Sequence, residues 1–236
     1  MFYFSGTRKE NFKNVSLSSH IFDEYWKKKG FAMRSKLMDR EKIFFEWIKK
    51  DSQVLSIGCG NSRLLHDLKT KKNCAVYGVD LVQDVVDELK KNDIKCYQAN
   101  VSSDDFFEAE FLKDNKFDYI VISELLHQLK YPEKLLSKLS TKTEKFILSL
   151  PNSAFYRYRF GLLFGGRFFT QWNWHPSETL RYWSYTDFVY WLEALGMEIV
   201  DCQSSNGFSI GPIKFYKFWK NMFAHQICYL VKVKNK

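Results

Sequence analysis

Residues 54–62 read Val54-Leu55-Ser56-Ile57-Gly58-Cys59-Gly60-Asn61-Ser62, and this stretch decides the fold. Residues 54–57 are a short, largely apolar run, the pattern of a buried strand. Two glycines then turn the chain, and Leu64, Leu65 and Leu68 fall on one face of a helix over residues 62–72. Glycines at such a turn let the backbone pass close to a ligand, and the helix that follows offers free N–H groups at the same point. A dinucleotide fingerprint wants a third glycine or alanine three positions after Gly60. Arg63 stands there, which disfavours a nicotinamide or flavin dinucleotide.

Working outward, the same alternation repeats. Residues 75–79, 95–99, 119–123 and 145–150 are further apolar runs, and Val82, Val85, Val86 and Leu89 lie at helical spacing between two of them. Pro132 suits the first turn of a helix through Leu135, Leu136 and Leu139, while Thr186 with Asp187 forms an N-cap for a helix stopped by Gly196. Residues 197–203 and 226–233 add two strands, for seven in all. Strands alternating with helices predict βαβ units, hence an α/β protein with a mostly parallel sheet and helices on both faces. Residues 1–50 read as an irregular arm leading into a helix over 35–50. Residues 51–236 read as one domain carrying an aromatic insertion at about 152–183 and a basic one at about 204–225.

Composition sets outer limits. The chain has 236 residues, 45% hydrophobic and 27% charged, which is the make-up of a soluble globular protein. No uncharged run approaches the roughly 18 residues of a spanning helix, and residues 1–14 lack the apolar stretch of a signal peptide, so a cytoplasmic location is expected. Five scattered cysteines without a Cys-x-x-Cys pair encode neither a disulfide framework nor a metal site. The formal net charge is +9, and residues 151–177 and 213–236 contain no acid. Such a field favours anionic partners, whether phosphorylated metabolites, nucleic acid or a membrane surface; the alternative is a solvated basic face. No nucleic-acid recognition motif is present, so none is expected as a partner.

Asp80 ends the second strand twenty residues after Gly60, where an acidic side chain can accept both ribose hydroxyl protons. Asn100, ending the third strand, is placed to bond an adenine edge or simply to start a loop. Together with Phe117-Asp118-Tyr119-Ile120-Val121-Ile122-Ser123 as strand four, this order resembles a class I S-adenosylmethionine-dependent methyltransferase, with its Rossmann-like fold. Ser149-Leu150-Pro151-Asn152, the Arg157-x-Arg159 pair, Gly166-Arg167 and the segment from Leu180 to Phe188 resemble the MetW-like group, associated with methionine biosynthesis. The resemblance implies S-adenosylmethionine as cofactor. It places Gly58 and Gly60 along the methionine and ribose portion, Asp80 on the ribose and Asn100 on the adenine. Ser56, Cys59, Leu81 and Val101 complete the cofactor set, and Ser123 with Glu124 lies beside the transferred methyl. The family usually has an acid at the position of Ser56, a glycine at Ser62 and, in MetW-like proteins, an aspartate at Asn100; loss of the acid at Ser56 removes a partner for the cofactor's amino group.

Methyl transfer from a sulfonium is an in-line displacement governed by positioning, with a proton to remove when the acceptor is oxygen or nitrogen. His127, just beyond strand four, is the best single candidate for that base; the alternative is a structural histidine. The aromatic stretch 168–183 reads either as a lid or as core, with His175 and Arg181 the members set to face substrate and Trp174 and Tyr182 beside them. Asn152 and Arg157 complete the substrate candidates. Phe215, Phe218, Trp219 and Met222 sit at helical spacing opposite Lys214, Lys217 and Asn221. A helix packed on the sheet is the preferred reading of that segment, and a helix lying on an anionic membrane the alternative. The expected activity is methyl transfer to oxygen or nitrogen of a small anionic metabolite; the alternative is a non-catalytic partner or regulatory subunit.

Overall fold

A computed structural model describes residues 26–166 and 179–234. Seven strands form one sheet: β1 (Gln53–Ile57), β2 (Ala75–Asp80), β3 (Lys95–Gln98), β4 (Tyr119–Ser123), β5 (Lys145–Pro151), β6 (Met197–Gly207) and β7 (Ala224–Val233). Their order is β3-β2-β1-β4-β5-β7-β6. The first five are parallel, and β7 runs antiparallel to both its neighbours. The principal helices are α1 (Asp39–Trp47), α2 (Leu64–Lys72), α3 (Gln83–Lys91), α4 (Pro132–Leu139), α5 (Tyr156–Gly165) and α6 (Tyr185–Ala194).

Both faces of the sheet are covered. Phe44 of α1, Leu64, Leu65 and Leu68 of α2, and Val86 and Leu89 of α3 pack on one side. Leu135, Leu136 and Leu139 of α4 with Phe188 and Leu192 of α6 pack on the other. The central strands are thus buried on both faces, which is why they read as continuous apolar runs. The fold class expected from the sequence is the one observed. Among the described residues no helix is long and apolar enough to cross a membrane.

Three local expectations change. α6 is capped by Ser184, whose Oγ accepts from the Asp187 N–H while the Asp187 carboxylate accepts from the Ser184 N–H; Thr186 lies inside the first turn. β6 continues past residue 203 to Gly207, because its polar end pairs with β7 and Ser205 Oγ donates to Gln226 Oε1 at 2.8 Å. The segment between those strands holds two single helical turns, Phe215–Phe218 and Lys220–Phe223, and not one amphipathic helix.

Candidate functional site

The parallel strands all end at one edge, and the glycine turn sits there. Gly58 and Gly60 have φ of +63° and +54°, a left-handed conformation that glycine adopts without strain. The N–H groups of Gly58 and Cys59 donate to the Val79 carbonyl, so β2 pins the turn. Asp80 pins it further: Oδ2 accepts from the Gly60 N–H at 2.8 Å and Oδ1 from the Val82 N–H at 3.1 Å. Burial pushes the Asp80 carboxyl pKa up, and the N–H groups of Gly60, Val82 and Leu81 oppose that shift.

This turn floors a cavity of about 300 Å³. All nine residues assigned to the cofactor from sequence, Ser56, Gly58, Cys59, Gly60, Asp80, Leu81, Asn100, Val101 and Ser123, line it, as does Glu124. Asn100 also serves its loop, its Oδ1 accepting from the Ser102 N–H at 3.0 Å.

Leu125, Gln128 and Leu129 after β4 add to the wall, and another part of it comes from the segment before β1, which carries no motif. Trp26 lies over the turn so closely that a Cβ on Gly60 would stand 3.0 Å from its ring. Lys29 sits over the Trp26 ring, and partial burial together with Arg34 and Arg40 pushes its ammonium pKa down to about 8. Glu41 of α1 is buried and lines the cavity together with Ser56 and Ser62. Its carboxylate accepts from the Arg34 guanidinium, from Ser62 Oγ at 2.7 Å and from the Met38 N–H at 2.8 Å. Arg34 also donates to Asn61 Oδ1, while its Nε is buried without an acceptor.

A second network crosses the end of β4. Arg40 Nε donates to Ser123 Oγ at 2.9 Å, Ser123 and Ser149 share a hydrogen bond of 3.0 Å, and Ser149 Oγ donates to Glu124 Oε1 at 3.0 Å. Glu124 is buried at a φ of +56°, a costly backbone for a residue with a side chain and one that persists only where its surroundings impose it.

The catalytic and substrate candidates do not gather there. His127 is 1% exposed, does not line the cavity, and has neither ring nitrogen hydrogen-bonded; burial holds its pKa down at about 4. That is a neutral packed histidine, the alternative left open by the sequence. Asn152 is spent on the fold, its amide donating to the carbonyls of Lys220, Asn221 and Ala224 and its oxygen accepting from Ala154 and Tyr185. Arg181 binds the Lys130 carbonyl and Glu133, Arg157 lies against Tyr156, and neither they nor Tyr182 line the cavity. Trp174 and His175 lie outside the described residues.

Sequence reasoning missed Trp26, Lys29, Arg34, Arg40 and Glu41. One signal was readable: Glu41 falls at helical spacing with Phe44 and Ile48, an acid on an apolar stripe, and a buried carboxylate needs partners.

Residues 38–231 match the model of the family described as MetW, methionine biosynthesis protein MetW. No curated protein matches the chain. Among solved structures, a putative methyltransferase of Haloferax volcanii, in complex with the Trm112 methyltransferase activator, superposes with a TM-score of 0.62 at 11% identity, covering 94% of this chain and 99% of that one. A TehB-like S-adenosylmethionine-dependent methyltransferase of Corynebacterium glutamicum gives 0.54 at 14% identity, with 91% and 96% covered. Magnesium protoporphyrin IX methyltransferase of Synechocystis, with S-adenosylhomocysteine bound, gives 0.55 at 13% identity, with 98% and 97% covered. These likenesses establish a class I methyltransferase fold.

Proposed function

The chain belongs to the MetW family, and on that premise we propose that it transfers a methyl group from S-adenosylmethionine to oxygen or nitrogen of a small anionic metabolite. One observation carries this reading: a glycine turn held by Asp80 faces a cavity that also presents Lys29 and Arg40, while Arg34 there is ion-paired with Glu41. Its volume of about 300 Å³ lies at the small end of ligand sites, roughly 300–1,000 Å³.

The residues present fit the cofactor. Asp80 offers carboxylate oxygens for the ribose hydroxyls, and the side-chain-free faces of Gly58 and Gly60 give close approach. Glu41 supplies a buried acid that Ser56 does not, from a different element and hydrogen-bonded to Ser62 just after the glycine turn. When bound, S-adenosylmethionine supplies an electrophilic methyl on sulfur. The chain's own groups then orient the acceptor: Arg40, bonded to Ser123, and Lys29 bind its anionic group, and Glu124 is the carboxylate at that end of the cavity to take its proton.

Titration calorimetry with S-adenosylmethionine and S-adenosylhomocysteine tests this. Micromolar binding of both is expected, weakened at least tenfold, about 1.4 kcal/mol, in Asp80→Ala and in Glu41→Gln. No binding to the folded chain at millimolar ligand would overturn it.

A second reading is a non-catalytic partner in methionine-related metabolism. It is favoured by one feature, that none of the described histidines lines the cavity. Cofactor binding without turnover on any anionic acceptor would select it.

A further inference from the structure

α5 is ten residues long, Tyr-Arg-Tyr-Arg-Phe-Gly-Leu-Leu-Phe-Gly, and none of them is buried. A helix this apolar normally hides one face. Here Leu163 is 72% and Phe164 75% exposed, with Phe160 beside them. The two helical turns before β7 add a second apolar set, with Phe218 83% and Trp219 59% exposed and Ile213 alongside. These segments form one surface: the Tyr156 ring meets those of Phe208 and Phe223, and Arg159 donates to the Asn221 carbonyl. Scattered exposed apolar residues are ordinary, but two contiguous clusters on adjoining elements are not.

The charge of this surface says what covers it. Residues 151–166 and 202–234 contain no acid, while Arg157, Lys214 and Lys217 are exposed among the apolar side chains and Lys220 lies beside them. A second copy meeting the same patch across a two-fold axis would bring cation against cation, since neither segment supplies a carboxylate to pair and Asp201, within electrostatic reach of Lys220, is already held by Trp47 and Gln203. An anionic bilayer satisfies both features, since aromatic and leucine side chains enter the boundary of headgroups and acyl chains while lysines remain at the phosphates. We propose that this face, α5 together with residues 208–223, docks the protein onto an anionic membrane surface.

Topology places the docking face on the same edge as the cavity. α5 follows the C-terminal end of β5, and residues 208–223 join β6 to β7 at the level of Pro151 and Gln226. The cavity opens at the C-terminal ends of β1, β2 and β4. The inference does not depend on the proposed activity.

The test is flotation of the full chain with vesicles of phosphatidylcholine alone or of phosphatidylcholine and phosphatidylglycerol in equal parts. Binding is expected only to the anionic vesicles, weakening with salt. Lys214→Gln with Lys217→Gln should lower partitioning on the order of tenfold or more, given roughly 1 kcal/mol per basic residue near such a surface. Leu163→Ser with Phe218→Ser, at sites exposed enough to leave folding unchanged, should lower it comparably with the charge retained. Equal binding to neutral vesicles, binding insensitive to either pair, or no vesicle binding with light scattering showing that the apolar pair governs self-association would each overturn the proposal. So would binding of duplex DNA in preference to the anionic vesicles.

Discussion

His127 shows how one residue type carries opposite meanings. In the sequence it stands just past β4, where a base would be useful; in the fold both ring nitrogens lack partners and the pKa is down at about 4. Unfolded, the same ring titrates near 6.5. Between those values the unfolded chain binds the proton and the folded chain does not, so the contribution of His127 to stability is complete above about pH 6.5 and is lost as pH falls toward 4. Of the whole span, about 3 kcal/mol, roughly 2 kcal/mol is lost between pH 7 and pH 5. Urea unfolding at those two pH values should therefore show a drop that is smaller by about that amount in His127→Leu. Equal drops in both chains would mean that the ring is solvated or paired. The Glu41 carboxylate makes the complementary point: it is equally buried, but three donors hold it, so it faces the cavity as a fixed acceptor.

At the scale of elements, legibility followed burial. The inner parallel strands were readable because they are buried on both faces, which leaves mostly apolar residues and a turn signal in the sequence; β3, at the edge of the sheet with Lys95 and Gln98 exposed, was readable only from its place in the strand–helix alternation. The end of β6 was not, since Ser204, Ser205 and Asn206 look like a loop; their strand character comes from pairing with β7, a contact made across the intervening segment. Apart from Glu41, the covering wall of the cavity was illegible for the same reason, as the bond from Arg40 to Ser123 spans 83 residues and leaves no local pattern. Gly207 marks where β6 depends on what crosses it. A Cβ there would stand 2.1 Å from the Phe223 carbonyl oxygen and 2.5 Å from Tyr216 Cβ. Backbone occupies part of that space and cannot swing aside, so Gly207→Ala must part β6 from the turns before β7. A loss of about 3 kcal/mol is expected in urea unfolding, the upper end of ordinary overpacking. Gly165→Ala, with nothing within 4 Å of its Cβ, should stay within about 0.5 kcal/mol of the unaltered chain. A tolerated Gly207→Ala would show that the segment repacks freely.

Across the whole molecule, the cavity joins parts of the chain that are distant in sequence: the arm from Trp26 to Glu41, the glycine turn, and the ends of β2, β3 and β4. A ligand seated there touches segments from both ends of the parallel sheet's connectivity, so its binding energy adds to the stability of the entire fold. At a hundred times its dissociation constant, a ligand that binds only the folded state adds about 2.7 kcal/mol. With an unfolding entropy near 2.1 cal/mol/K per residue, a chain of 236 residues loses roughly 0.5 kcal/mol per degree, and the expected rise in Tm is roughly 5 °C. S-adenosylhomocysteine is the suitable probe in a thermal melt, because it cannot turn over. Asp80→Ala melted at the same ligand concentration, with affinity lowered about thirtyfold, should rise by only about 2 °C. A variant that rises as far as the unaltered chain would mean that Asp80 serves the glycine turn alone, through its bonds to Gly60 and Val82, and that the ribose is held elsewhere.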